Sequence, residues 1–229
     1  MVLVCFDPEF VYIKTQKTAG TSTEMVLEKF CGPPRRKIRE RTRGHVSKYG
    51  IIGRRLQAKA VKSETETPVW RPHMSASAVR RLVMPEFWER AEIVANLRNP
   101  FARNLSWFSW LRKMKNQPDF PDFDSHREAF LAWVKAANDL GETERLFVDG
   151  KASPTQIIRF EHLADDLAAV CKRLGLKGAA ALPETKMSSK PEGAPTVADY
   201  YDAEAIDRVR RQSEWVLEAG GYDDRPPGR

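Results

Sequence analysis

The sequence contains few cysteines and lacks the signatures of secretion or membrane insertion. Its three cysteines, Cys5, Cys31 and Cys171, are odd in number and are not spaced like metal ligands. We therefore expect ordinary thiols in a reducing compartment. The N-terminus has no signal-peptide pattern, and no apolar run approaches the roughly 20 residues that a membrane-spanning helix needs. These absences predict a soluble, cytoplasmic protein without a transmembrane segment.

The glycine-lysine signature of a nucleotide-triphosphate P-loop is also missing. That loop needs Gly, four residues and then Gly-Lys-Ser/Thr, and no Gly-Lys-Ser/Thr occurs in the chain. A kinase that uses ATP would need this spacing, together with an acidic Mg²⁺ ligand at the end of a second strand. The sequence supplies neither clearly, so an ATP-dependent kinase is a weaker alternative.

Positive charge exceeds negative charge. The 229 residues include 38 Lys and Arg against 31 Asp and Glu, a net charge of +7, which is compatible with anionic ligands. One segment is especially basic, with only Glu40 opposing its cations Arg35, Arg36, Lys37, Arg39, Arg41 and Arg43. This cluster is either a solvated surface loop or a contact for an acidic acceptor or a membrane surface.

One short stretch has the pattern of an anion-binding turn. An apolar run from Phe10 to Ile13 predicts a strand, and the run from Glu24 to Phe30 predicts a helix. The first N–H groups of a helix have no intrahelical partner and point outward. Lys17 adds a positive charge, and hydroxyl donors come from Thr18, Thr21, Ser22 and Thr23. A strand–helix turn capped by Thr and Ser would give the same pattern without a ligand.

Alternating strand and helix patterns predict an α/β fold with a central parallel sheet flanked by helices on both faces. Further strands are predicted at residues 91–97 and 155–160, and helices at residues 75–83, 101–113, 126–138, 163–174 and from 202 to 219. The segment 32–67 is predicted as an irregular basic insertion on the side that would contact an acceptor substrate. One short helical piece is predicted near residues 54–61. Residues 223–229 are predicted as a flexible tail.

A second anion site is predicted where the strand at residues 91–97 ends. Arg98 follows this strand directly, and Ser106 lies about two helical turns further along the chain. Ligands of such sheets bind beyond the carboxyl ends of the strands. The planar fork of Arg98 can grip a phosphate in bidentate fashion, and the Ser106 hydroxyl can complete the site. A salt-bridged arginine at the end of a strand is the alternative interpretation of Arg98.

Taken together, these stretches resemble the sulfotransferases that use 3′-phosphoadenosine 5′-phosphosulfate (PAPS). Residues 17–22 are similar to their 5′-phosphosulfate loop, and Arg98-Asn99-Pro100 with Arg103 and Ser106 is similar to their 3′-phosphate signature. The segments 73–80, 158–163 and 200–222 resemble parts of the carbohydrate sulfotransferase branch. Gln16 departs from the proline that is common before the loop lysine.

The resemblance implies a single sulfotransferase-like domain over residues 1–229 with a P-loop-like three-layer α/β/α fold. It also implies transfer of a sulfuryl group from PAPS to an acceptor hydroxyl, with release of 3′-phosphoadenosine 5′-phosphate (PAP) and no metal. Lys17 would stabilise the leaving group, and Arg98 and Ser106 would hold the 3′-phosphate. Lys190 would reach the nucleotide from a late loop. The 5′-phosphate would be bound by the loop residues Lys17, Thr18, Ala19, Gly20, Thr21, Ser22 and Thr23.

The catalytic base is predicted to be a histidine, because an imidazole titrates near neutral pH. His73 has the family-like context and is the first candidate, and His45 is the second. His126 and His162 lie beside predicted helices and fit surface or core roles.

The acceptor is predicted to be a carbohydrate or glycolipid, with Trp70 as a candidate stacking ring. A lipid or small-metabolite hydroxyl remains open as an acceptor, and nucleic acid is not expected as a partner. A non-enzymatic protein that binds anionic glycans would explain the basic cluster but would leave both anion motifs without a role.

Overall fold

The structure, a computed structural model, describes residues 2–39, 44–53, 70–177 and 193–228. The strands are β1 (Val2–Phe6), β2 (Glu9–Ile13), β3 (His45–Ser47), β4 (Gly50–Ile52), β5 (Glu92–Leu97), β6 (Phe147–Val148), β7 (Lys151–Ala152) and β8 (Gln156–Arg159). The α-helices are α1 (Gly20–Leu27), α2 (Ala76–Arg80), α3 (Pro85–Arg90), α4 (Pro100–Met114), α5 (Phe123–Ala136), α6 (Thr143–Leu146), α7 (Leu163–Arg173), α8 (Ala203–Gln212) and α9 (Glu214–Gly220).

The protein is a mixed α/β protein whose central six-stranded sheet has the order β3-β4-β1-β2-β5-β8 and is flanked by helices. Strands β2, β5 and β8 are parallel, as predicted. The prediction of an all-parallel sheet is wrong for the other half, because β1 pairs with both β2 and β4 in antiparallel fashion, and β3 pairs with β4 likewise. The two-residue connection between Phe6 and Glu9 is too short for anything but an antiparallel hairpin.

The chain forms two compact units. The first comprises described residues within 1–97 and 144–185 and contains the six-stranded sheet. Side chains on both faces of β1 and β2 are buried, which explains their nearly continuous apolar sequences. On one face, α1 and α7 pack against the sheet through a core that includes Leu3, Tyr12, Val26, Val94, Ile158, Leu167 and Val170.

The second unit comprises described residues within 98–143 and 186–229 and is helical. Its core is rich in aromatic rings, including Phe101, Phe108, Phe130 and Tyr201. The predicted core role of the α4 aromatics is confirmed for Phe108. Trp107 and Trp110 on the same helix are only half-buried, and their rings stack on each other with centroids 4.7 Å apart.

Several predicted helix boundaries are confirmed by their capping residues. The side chain of Asn99 accepts hydrogen bonds from the Phe101 and Ala102 N–H groups at the start of α4. Asp202 caps α8 by accepting from the Ala205 N–H. The predicted C-terminal helix is divided in two at Ser213, which ends α8 and precedes α9.

The segment predicted as irregular between residues 32 and 67 contains β3 and β4, so this prediction is wrong for those residues. The helical piece predicted near residues 54–61 lies outside the described residues. Within the described ranges, no helix is long and apolar enough to cross a membrane.

Candidate functional site

The predicted anion-binding turn connects β2 to α1. Two of its residues that are not glycine, Lys17 and Ala19, have positive φ angles of 61° and 59°. Such left-handed backbone is costly for these residue types, and it is concentrated at functional sites. The carbonyl of Ala19 accepts hydrogen bonds from the Ser22 and Thr23 N–H groups, which fixes the start of the helix. The N–H groups that precede them in the first turn are therefore the ones available to an anion.

A second lysine, which the sequence did not indicate, lies beneath this turn. Lys14 is buried, and its Nζ donates to Thr21 Oγ1 at 2.8 Å and to Glu24 Oε2 at 2.7 Å. The Glu24 side chain is fully buried. The sequence offered one signal for this pair, namely a lysine directly after an apolar strand and a glutamate early in the next helix. Their pairing depends on the turn between them, which brings residues ten positions apart into contact.

Gly20 allows the helix to approach this lysine closely. A Cβ atom on Gly20 would lie 2.9 Å from Lys14 Cγ and 3.0 Å from Tyr12 Oη. Contacts this short force a neighbour to move, so only glycine fits the observed packing. The residue that packs closely against Gly20 in the structure is the protein's own Lys14.

Asn96 on β5 holds the turn from the side of the sheet. Its Oδ1 accepts from Tyr12 Oη at 2.6 Å, and its Nδ2 donates to Thr23 Oγ1 at 3.0 Å. Its backbone carbonyl accepts from Thr15 Oγ1 at 2.6 Å, and Thr15 Oγ1 also contacts Thr18 Oγ1 at 2.8 Å. The hydroxyls of Thr18 and Thr23 are thus buried and engaged within the protein. Toward an anion Thr18 can therefore contribute mainly through its backbone N–H group, whereas the Thr23 N–H is already engaged with the Ala19 carbonyl.

His73 lies beside the start of the turn, where it forms a hydrogen bond with the Lys14 backbone. Burial lowers the pKa of His73 from 6.5 to about 3, and the positive charges of Lys14 and Arg145 add to this effect, while a hydrogen bond with the Lys14 backbone opposes it. Arg145 also donates a hydrogen bond to the His73 carbonyl. The His73 backbone is left-handed, with φ of 56°, and its buried Nδ1 has no hydrogen-bond partner among the described residues.

The second candidate base, His45, lies on a different part of the sheet. It is in the edge strand β3, where it pairs with Ile52, and Ile52 pairs in turn with Leu3 and Leu3 with Tyr12. Three strand spacings separate His45 from the end of β2, about 14 Å at the usual interval. The structure therefore brings His73, and not His45, next to the turn.

The residues of the predicted 3′-phosphate signature belong to the second unit. Arg98 directly follows β5 and precedes the capping residue Asn99, and Ser106 is half-buried on α4. Arg103, with 6% of its surface exposed, forms an ion pair with Glu142 and donates to the Leu140 carbonyl. Its role is therefore in the core of this unit. Lys190 lies outside the described residues.

Other predicted ligand contacts are reassigned by the structure. Trp70 is buried, with 8% of its surface exposed, so its ring packs inside the protein instead of forming a displayed stacking surface. In the basic cluster, Arg36 forms an ion pair with the buried Glu28, whereas Arg35 and Lys37 are exposed. The cluster members Arg41 and Arg43 lie outside the described residues.

No family model matches the chain, and neither a curated protein nor a solved structure matches it. The interpretation of the turn therefore depends on its own residues and geometry.

The buried pair beneath the turn makes a prediction about stability. The Lys14→Met variant should lower the free energy of unfolding by about 3–5 kcal/mol, because it leaves the Glu24 carboxylate buried without its cation. The double variant Lys14→Met/Glu24→Gln should recover part of this loss. Urea unfolding of the wild type and of the single and double variants gives the comparison. A single variant as stable as the wild type would contradict the described pairing.

His73 makes a prediction about pH. Its pKa is about 3 in the folded protein and about 6.5 when unfolded, so between these values the unfolded chain binds more protons. The contribution of His73 to the free energy of unfolding is fully present above pH 6.5. It falls by up to ~1.4 kcal/mol per pH unit as the pH is lowered toward 3.

The variant His73→Asn lacks this dependence on pH, and asparagine tolerates the positive φ of position 73. As the pH is lowered from 7.5 to 4.5, the free energy of unfolding of His73→Asn, measured with urea, should rise by about 2–3 kcal/mol relative to that of the wild type. His162→Asn, on the exposed surface, is the matched control. If the wild type and His73→Asn differ in free energy of unfolding by the same amount at both pH values, then His73 does not resist protonation.

Proposed function

We propose that the protein is a PAPS-dependent sulfotransferase that transfers a sulfuryl group to a hydroxyl of a carbohydrate or glycolipid, and that its first unit is a P-loop-like α/β domain. The observation that carries this proposal is the β2–α1 turn. In it, a strained lysine and the start of a helix form an anion-binding arrangement directly beside a half-buried, neutral histidine. Each part matches a task that sulfuryl transfer imposes.

The turn suits the phosphosulfate end of the donor. It is positively charged, because Lys17 is part of it and Lys14 and Arg145 lie close enough to His73 to lower its pKa. The first N–H groups of α1 add directed donors. Residues 17–23 would hold the 5′-phosphosulfate, mainly through backbone N–H groups and the Lys17 side chain. When bound, PAPS supplies an activated sulfuryl group, and its bridging oxygen becomes negatively charged as PAP leaves.

Lys17 is assigned to that leaving oxygen. A preorganised cation at the point where charge develops stabilises the transition state more than the ground state. Removing one donor of this kind typically slows a reaction by about 10²–10³-fold. Lys14 is paired with Glu24 and Thr21, so its contribution is to fix the turn.

His73 is assigned the role of base that takes the proton of the acceptor hydroxyl. Its low pKa keeps the imidazole neutral at neutral pH, so a ring nitrogen is available to accept a proton. A pKa near 3 is lower than a general base at neutral pH requires. Because nearby positive charges contribute to the shift, the negative charge of a bound donor would raise the pKa toward the useful range.

Arg98 and Ser106 are assigned to the 3′-phosphate by their sequence resemblance. This phosphate distinguishes PAPS from ATP, so an arginine dedicated to it would give nucleotide selectivity. Support comes from chain order, since Arg98 directly follows β5, the parallel neighbour of β2. Lys190 keeps its proposed contact with the nucleotide.

The donor assignment is tested by titrating the protein with PAP and with ATP, each with and without Mg²⁺, by calorimetry. We expect PAP to bind independently of Mg²⁺ and at least tenfold more tightly than ATP. The Arg98→Ala variant should weaken PAP binding by about tenfold or more, because it removes a charge-assisted contact. Arg90→Ala, which removes an exposed arginine paired with Glu9, is the matched control. Equal affinity for both nucleotides, or tighter binding of ATP with Mg²⁺, would favour the kinase alternative.

The assignment of the base is tested by comparing His73→Asn with His45→Asn. With any accepted acceptor and labelled PAPS, His73→Asn should lower kcat by about 10²–10⁴-fold while PAP affinity stays unchanged. His45→Asn should keep most of the activity, because His45 is distant from the turn. The reverse ranking would transfer the role to His45.

A further inference from the structure

A surface pocket of about 560 Å³ opens beside His73 in the first unit. It is formed by the segment that precedes α2 and by one side of α2 with its C-terminal turn. Its lining residues are Arg71, Pro72, His73, Met74, Ala78, Arg81 and Leu82. The pocket thus contains the proposed base and is the natural place for the group that gives up its proton.

The charged side chains that line this pocket within the described ranges are all of one sign. Arg71 and Arg81 are both exposed, and none of the described lining residues is acidic. Neither guanidinium forms an ion pair with a residue in the described ranges of the chain. Arg80, the immediate neighbour of Arg81, is different, because it pairs with Asp149 and lies near Glu89. Of the two adjacent arginines, one is therefore paired with acidic side chains and the other faces the pocket.

The remaining lining suits a flat, partly apolar ligand. Pro72, Met74 and Leu82 supply apolar surface, and the small side chain of Ala78 leaves room between them. Ala78, Arg81 and Leu82 are spaced three and four residues apart, so they share one side of the helical turn. Sugars present C–H faces that pack on such surfaces, while an arginine fork matches the planar geometry of a carboxylate.

We propose that this pocket binds the acceptor and that the acceptor is a sugar carrying a carboxylate, which Arg71 and Arg81 hold beside His73. The proposal rests on the proposed sulfotransferase function, because it assigns the acceptor of that same reaction. A carboxylate on the sugar would also place negative charge beside the cations that surround the base. The specificity of the enzyme would then come from the lining residues within 71–82, which are separate in the chain from residues 17–23.

The test uses a matched pair of ligands and three variants. The ligands are a tetrasaccharide of alternating glucuronic acid and N-acetylglucosamine, and the same tetrasaccharide with its carboxylates reduced to alcohols. Binding to the full chain is measured by calorimetry, with excess PAP and without PAP, for the wild type and for Arg71→Gln and Arg81→Gln. Lys172→Gln removes one positive charge from an exposed position on α7 that does not line the pocket, and it serves as the control.

We expect the wild type to bind the acidic tetrasaccharide at least tenfold more tightly than the reduced one. Arg71→Gln and Arg81→Gln should each weaken binding of the acidic ligand by about tenfold and leave that of the reduced ligand unchanged. Lys172→Gln should behave like the wild type. Equal binding of the two ligands, no binding of either, or an equal loss in Lys172→Gln would overturn the proposal.

The failure of this proposal can be distinguished from the failure of the donor assignment. PAP binding is measured separately, without any sugar. If PAP does not bind but the acidic ligand still binds through Arg71 and Arg81, the donor assignment fails and the pocket keeps its ligand class. If PAP binds and the two tetrasaccharides do not differ, the donor assignment stands and the acceptor proposal fails.

Discussion

The hydrogen bonds of Asn96 join the elements on which the proposed site depends. The side chain of this buried residue contacts Tyr12 on β2 and Thr23 on α1, and its carbonyl accepts from Thr15 in the turn. Each of these groups would cost about 1–3 kcal/mol if it were left buried without a partner. A network in which every member is satisfied favours one arrangement over its alternatives. The left-handed residues Lys17 and Ala19 can persist because the chain on both sides of them is fixed in this way.

The parts of the fold that the sequence predicted well are local. Apolar runs identified β2, β5 and β8, and the capping residues Asn99 and Asp202 located the starts of α4 and α8, because both signals lie within a few residues of the structure they determine. The turn between β2 and α1 was predicted for the same reason. Its lysine, its glycine and the flanking patterns are contiguous in the chain.

The parts that the sequence did not predict depend on contacts between distant residues. The pairing of β1 with β4 was missed because these strands are far apart in the chain, whereas the apolar run of β1 and its short connection to β2 were local signals that were overlooked. The pairing of Lys14 with Glu24 and the burial of Trp70 were missed likewise. The number of arginines in a segment does not show which of them are held in ion pairs. Arg36, Arg80 and Arg103 are all held in ion pairs, and only the structure separates such arginines from Arg71 and Arg81.

The absence of a side chain at Gly20 has a consequence for how the sequence of this protein can evolve. The space that a Cβ would fill is occupied by the carbon chain of Lys14, so the two positions share one volume. An alanine at position 20 would force the Lys14 side chain to move, and that movement would disturb its pairing with Glu24. Positions 14, 20 and 24 are therefore constrained as a group. Substitutions in the β2–α1 turn are therefore better tolerated on its solvent side than where it packs on Lys14.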